Sequence, residues 1–460
     1  MNDQSAFIEL LDKLAADFAN FMWGMPLLVL MIGGGLYFTF YCRFIPFRYF
    51  RHAINILRGK YDRTDDPGDI THFQALSSAL ASTVGMGNIS GVAIAIYTGG
   101  PGALFWLWVS AIVGMSTKFF TCTLSILYRG KDDRGDIQGG PMYYIEAGLG
   151  PKYRPLGVVF SIAGLIGCLS LFQANQLTQI IRDEIFVPYG LFIITPVYGN
   201  LIVGIIIAVL VASVIFGGIK RIGLVASRLV PVMVALYMLA GLFILLKNFT
   251  EIPSLFMLIF RDAFTGDAVA GGAVGTVIIT GVRRAAFSNE AGIGTEALAH
   301  GAAKTKEPVR EGLVAMMGPF VDTIVVCTVT AIVILTSGIW QGNEANGVTL
   351  TTQAFSRELG KWGQLLLLVS VLTFSISTMI GYSYYGCKCA GYLFGTRWKQ
   401  TYNGFYVISL IIGAVVSIDI VVNVLDGMFA IMAIPTMTST ILLSPKVMAE
   451  ARRYFSRLKA

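Results

Sequence analysis

Charge is what this sequence has least of. Only 13% of its 460 residues are Asp, Glu, Lys or Arg, against roughly 25% in a soluble domain, which excludes an ordinary solvated globular protein. Histidine is scarce as well. His52, His72 and His300 lie apart at expected loop or span ends, and with no nucleophile–base constellation beside them an enzyme is not expected. Each is expected to be a solvated interfacial residue. The six cysteines (Cys42, Cys122, Cys168, Cys327, Cys387, Cys389) follow neither metal-ligand spacing nor a secreted disulfide framework and read as free thiols. No basic stretch followed by an apolar one opens the chain, so no cleaved signal peptide is expected; residues 1–21 read as a short amphipathic segment. A soluble domain, low-complexity tracts and heptad seams are also missing. The formal charge of +7 is spread between apolar runs instead of forming one basic patch, which argues against nucleic acid as a partner.

What remains is apolar sequence: 55% of the residues are hydrophobic and the mean hydropathy is +0.69. With about 20 apolar residues needed per crossing, eleven spans are expected, near 22–42, 75–98, 102–128, 155–181, 199–217, 224–246, 268–303, 311–337, 363–386, 403–424 and 427–444. The chain is therefore expected to be an all-α integral membrane protein embedded in a lipid bilayer. An odd number of spans puts the termini on opposite sides. Counting the last ten as a core, the loops on one face, together with the C-terminal tail, hold 25 of the 34 Lys and Arg residues and the other face holds six. By the positive-inside rule this places the N-terminus outside and the C-terminus in the cytoplasm.

Ten core spans divide into five and five of opposite orientation, as an inverted repeat requires. The expected organisation is an amphipathic segment at 1–21, an additional helix at 22–42, repeats at 70–250 and 263–445, and a basic tail at 446–460. No obligatory protein partner is apparent.

Two spans are built to break. In "STVGMGNISGVA" (82–93), Gly85, Gly87 and Gly91 each weaken a helix by up to about 1 kcal/mol relative to alanine. Backbone groups freed in hydrocarbon persist only beside a polar cavity or a ligand, although close packing of small residues is an alternative use of the same glycines. The second is "RRAAFSNEAGIGTEALAHGAAK" (283–304), in a segment too long for one crossing. Interrupted spans at corresponding positions of two halves point to a transporter site at the midplane.

Elsewhere, Ser377 and Thr378 offer adjacent hydroxyls that suit a hard cation, with Tyr382 one turn beyond Thr378. Helix bonding is the alternative for such hydroxyls. Gln173, within "LFQANQL", can both donate to and accept from a zwitterion. Arg283, Arg284, Glu290, Glu296 and Asp322 are charges at expected membrane depth, where charge is usually functional. Arg284 and Glu290 are expected to pair and hold the broken helix, with substrate contact as the alternative; Asp322 and Thr323 are expected either to serve a cation or to cap the same network, and Lys118 to snorkel to the interface.

The blocks "STVGMGNISGVAIAIYTGGPGALFWLWVSAIVGMSTKF" (82–119), "GGPMYYI" (139–145), "FQAN" (172–175) and "FSNEAGIG" through "AHGAAKTKEPVREGLVAMMGPFVDTIVVCTVTA" (287–331) resemble the alanine/glycine:cation symporter family of the amino acid-polyamine-organocation superfamily. The resemblance spans nearly the whole chain. It implies a leucine-transporter-type fold of ten core helices in a 5+5 inverted repeat plus one N-terminal helix, in a prokaryotic inner membrane. The implied activity is sodium-coupled uptake of a small neutral amino acid such as alanine or glycine, without an organic cofactor. Matching positions put substrate against Thr83, Gly85, Gly87, Asn88, Gln173, Phe287, Ser288, Asn289 and Thr378, with Tyr382 facing its side chain. Sodium is implied at Thr83, Gly85, Ser377 and Thr378.

Four positions depart from the family pattern. Tyr382 stands where tryptophan is usual, which opens the alternative of a larger neutral amino acid such as glutamine or asparagine. Glu296 lies in "TEALAH" where "SAPIAH" is common, and could alter gating or ion choice or merely pair with a lysine. Thr121 and Cys387 replace family acids. Proton coupling in place of sodium competes with the sodium expectation, and an amino-acid-binding channel or sensor competes with coupled transport.

Overall fold

The computed structural model describes residues 3–63, 65–132, 135–265, 274–342, 345–416 and 418–459. Residues 268–273 of the expected seventh span, Arg134, and residues 1, 2 and 460 of the expected terminal segments lie outside them. The chain is built from helices, the form in which a membrane segment satisfies its own backbone. Among the described residues, strands occur as one short antiparallel ribbon, Gly130–Lys131 with Ile137–Gln138.

Among the described residues, seven helices are long and apolar enough to cross a membrane: Ala103–Leu127, Pro151–Phe186, Pro196–Ile215, Gly218–Lys247, Pro308–Ser337, Lys361–Phe394 and Ile420–Leu458. Two bent pairs, Leu10–Met22 with Met25–Tyr41 and His72–Thr83 with Gly87–Gly99, bring the number to nine when each is taken as one span. The other two expected segments form shorter helices, Val274–Asn289 followed by Glu296–His300, and Trp398–Val415. Burial separates the centre from the periphery. The most apolar window of Ala103–Leu127 is 72% buried, whereas that of Gly218–Lys247 is 33% buried; the former is a core helix and the latter offers its apolar face to lipid.

The N-terminal amphipathic segment is a helix, Asp3–Met22. A 46° bend at Gly24, ahead of Pro26, joins it to the next helix. Trp23 in the bend donates its indole N–H to the Asp426 carbonyl at 2.9 Å, anchoring the segment to the last long helix.

Both expected breaks form. The first helix starts with a capping box, Thr71 and Gln74 satisfying each other's exposed amides. It runs from His72 to Thr83, after which Val84 is extended (ψ 90°) and a wider π turn covers Gly87–Gly91 before Val92–Gly99 resumes. The two halves differ in direction by 51°. In the second, Val274–Asn289 stops where Glu290 turns left-handed (φ 58°), and Gly292 and Gly294 also have positive φ before Glu296–His300. A left-handed non-glycine costs about 1–2 kcal/mol, so the surroundings of Glu290 enforce this turn. A third irregularity, absent from the sequence expectations, is the π-helical stretch Phe320–Cys327 after Pro319.

Candidate substrate and cation site

The two breaks touch. A Cβ at Gly87 would sit 3.1 Å from Ser288 Cα and 3.5 Å from the Phe287 ring, so glycine is what allows the backbones to approach. Both breaks are tied to the π turn in the helix Pro308–Ser337. Asn88 accepts the Gly85 amide N–H at 2.8 Å through Oδ1, while its Nδ2 donates to Asp322 Oδ1 at 2.8 Å and to the Asp322 carbonyl at 3.0 Å. The other Asp322 oxygen accepts from Ser288 at 2.7 Å and from Thr323 at 2.8 Å. Asn289 Nδ2 donates to Thr323 Oγ1 at 2.9 Å. Asp322, fully buried, therefore ties both breaks to the π turn. Asn88, Ser288 and Asn289 spend their side chains on this knot.

Next to it is the helix Lys361–Phe394. A Cβ at Gly85 would overlap Thr378 Oγ1, so these two expected cation-site residues are in contact. Ser377 and Thr378 each donate to the Phe374 carbonyl at 2.9 Å, and Thr83 donates to the Ala79 carbonyl at 3.1 Å. With the protons directed into their helices, the hydroxyl oxygens keep lone pairs, the donors a hard cation takes.

Gln173, only 3% exposed, has no partner for its Oε1. An unsatisfied buried acceptor costs about 1–3 kcal/mol, which a ligand N–H would recover. Its neighbour Phe172 meets Phe287 edge to face at 5.1 Å. Phe287 packs on Phe429 at 5.6 Å, and Tyr382 meets Phe429 edge-on at 6.5 Å. Phe429 completes this aromatic wall from the last helix; an apolar run like the one around it carries no sign of such a role.

Above the wall, on the end away from the basic loops, is a cavity of about 760 Å³ bordered by Asn20, Thr98, Gln179, Arg283, Asn346 and Asn423 among others. At its base the Arg284 guanidinium lies 5.2 Å from the centre of the Phe287 ring. Arg284 pairs with Asp426, as does Arg283 at 2.6 Å, which corrects the expected Arg284–Glu290 pair. Arg284 lies on the helix whereas Glu290 follows its end in a left-handed turn, and Glu290 bonds Thr295 at 2.5 Å instead.

The basic end brings further corrections. His72 and His300 are buried, each 1% exposed, and both bond the fully buried Glu311, His300 at 2.5 Å. They form a clamp joining the first half of one broken helix, the last half of the other, and the start of Pro308–Ser337. With 239 residues between His72 and Glu311, one sequence holds no sign of it. His52 is half-buried and bonds the Tyr454 hydroxyl at 2.7 Å; burial, then Arg310 and Lys60, hold its pKa below the usual 6.5. Lys118 does not snorkel: at 1% exposed it is enclosed, facing Glu290 and Asp322. Glu296 accepts from Thr121 at 2.8 Å, so two of the departures from the family pattern are partners.

The sodium:alanine symporter family matches residues 8–460. A sodium/alanine symporter AgcS of Methanococcus maripaludis is 40% identical over 95% of this chain and 95% of its own length. A Bacillus subtilis protein described as "Probable sodium/glutamine symporter GlnT" is 33% identical over 98% of this chain and 92% of its own. Among solved structures, MhsT in complex with L-phenylalanine superposes with a TM-score of 0.60 at 12% identity, covering 84% of this chain and 93% of MhsT, a likeness of fold alone. Spanning two interrupted helices and the helices that enclose them, the family match is nearly complete, and the chain belongs to the sodium:alanine symporter family.

Proposed function

We propose that this protein imports a small neutral amino acid, such as alanine or glycine, together with sodium by alternating access, as a transporter and not an enzyme. The observation that carries the reading is the meeting of the two broken helices at Gly87 and Ser288, held by Asn88 and Asp322. Unwound backbone at such a junction presents half-helix N–H groups to a carboxylate and carbonyls to a cation. The substrate would occupy the space bounded by Thr83, Gly85, Gly87, Asn88, Gln173, Phe287, Ser288, Asn289, Thr378 and Tyr382. Its ammonium would meet the free Gln173 Oε1, and its side chain the wall of Phe172, Phe287, Phe429 and Tyr382. Sodium would take the Thr83, Ser377 and Thr378 hydroxyls with the Gly85 carbonyl.

In this reading eleven spans form a 5+5 inverted repeat plus one N-terminal helix, bounded as the sequence suggests, in a prokaryotic plasma membrane. The basic end faces the cytoplasm and the large cavity is the outer vestibule. Substrate and sodium bound across the breaks stabilise the closed core; loss of the His72–Glu311–His300 clamp then opens the inner end.

The test is uptake of labelled amino acid in proteoliposomes, with a panel of unlabelled competitors. Uptake driven by an inward sodium gradient and competed best by alanine and glycine supports the proposal. Uptake indifferent to sodium but driven by a proton gradient refutes the coupling. A second reading, import of a larger neutral amino acid such as glutamine, is favoured by Tyr382, smaller than tryptophan, and by the description of the GlnT relative. Competition led by glutamine would select it.

A further inference from the structure

Behind the substrate site, toward the basic end, are three fully buried carboxyls, Glu290, Glu296 and Asp322, and one buried ammonium, Lys118, which faces Glu290 and Asp322 while Glu296 faces Glu290. Were all ionised, two negative charges would be unbalanced in a region where uncompensated charge is costly. The hydrogen bonds distinguish the acids. Asp322 has donors on both oxygens, from Asn88, Ser288 and Thr323, the pattern of a carboxylate. Glu290 accepts on Oε2 from Thr295 and meets the Tyr382 hydroxyl, and Glu296 accepts only on Oε1, from Thr121. Glu290 Oε1 and Glu296 Oε2 are buried without any partner. These are the positions where a proton lowers the cost of burial.

Resting on the symport reading, we propose that Glu290 and Glu296 form a proton site that exchanges one proton for the arriving sodium. With Asp322 ionised against Lys118, the core is neutral without sodium when both glutamates are protonated. A sodium ion beside Thr378 restores neutrality only if one of them ionises and its proton leaves to solvent. Tyr382 connects the two sites. It lies one turn from Thr378 and its hydroxyl faces Glu290. No covalent step is involved: one O–H bond ionises and water takes the proton.

Other titratable groups border the pair. Glu290 faces Lys118 on the helix Ala103–Leu127, Cys168, and Tyr382 and Tyr385 on Lys361–Phe394; Glu296 faces Cys122, Tyr144 and Tyr385. The thiols and phenols are neutral in the normal working range, which leaves the two glutamates to exchange the proton. Three of the residues involved, Thr121, Glu296 and Tyr382, are departures from the family pattern, and they converge on this one network.

The purified full-length protein is mixed with sodium chloride in weakly buffered detergent containing a pH dye, choline chloride being the control, and radiolabelled sodium binding is measured in parallel. Sodium should release about one proton per protein. Its apparent Kd should weaken toward acid by up to about tenfold per pH unit, as linkage to one proton requires. Glu290→Gln and Glu296→Gln together should lose most of the release and flatten the pH dependence of sodium binding. Wild-type protein that binds sodium without releasing protons, at an affinity constant from pH 5.5 to 8.5, overturns the proposal, as does undiminished release when both Glu290→Gln and Glu296→Gln are present. The wild-type measurements stand even if a variant does not fold. Absence of sodium binding would instead count against the symport reading.

Discussion

Replacing Glu311 by glutamine should loosen the basic end of the bundle. Both Glu311 oxygens are used, one by His72 and one by His300, and no solvent reaches the carboxylate. Glutamine keeps the size and, with a change of imidazole tautomer, can keep two neutral hydrogen bonds; it loses the charge. A hydrogen bond to a charged group contributes about 1.5–3 kcal/mol against about 0.5–1.5 kcal/mol for a neutral one. Two bonds each weakened by about 1–1.5 kcal/mol shift the closed–open balance by about 2–3 kcal/mol, on the order of 30–150-fold. A native reporter lies behind the clamp: Cys122, with no exposure, packed against Ala297 and Ala315. In inside-out vesicles, a membrane-impermeant maleimide should alkylate Cys122 of Glu311→Gln at least tenfold faster than in wild type, read by mass spectrometry of its peptide. A change below threefold, in a variant whose thermal unfolding is otherwise normal, would refute the assignment of the clamp as the inner closure.

Gly85→Ala forces a methyl group into Thr378 Oγ1. Overpacking of this kind costs about 1–3 kcal/mol, and sodium-driven uptake should fall at least tenfold while the protein still reaches the membrane, as measured by initial rates normalised to protein. Tyr382→Trp should fill the aromatic wall and raise the preference for glycine and alanine over glutamine at least fivefold in a competition panel; an unchanged panel would remove Tyr382 from the specificity pocket. His52, whose pKa is held below its usual 6.5 by burial, Arg310 and Lys60, takes up its proton more readily in the unfolded chain. Its effect on stability is nil above about pH 6.5 and grows unfavourable as pH falls through 6.5 toward the lowered value. The wild-type Tm should therefore drop more steeply than that of His52→Gln between pH 7 and 5.

The class of protein, most of the helices and the position of both breaks are legible in the amino-acid order alone. These are local properties: a run of apolar residues must become a self-satisfied helix in lipid, and clustered glycines at 85–91 and 292–294 weaken that helix where they stand. Which charge meets which, by contrast, is fixed by how the helices pack. Arg284 found Asp426 across 142 residues of chain, Glu311 found two histidines, and Lys118 was enclosed among acids instead of reaching the interface. Such pairs depend on the angle at which helices cross and on the direction a left-handed Glu290 gives the chain after it. Residues hundreds of positions apart share no local pattern that would record either.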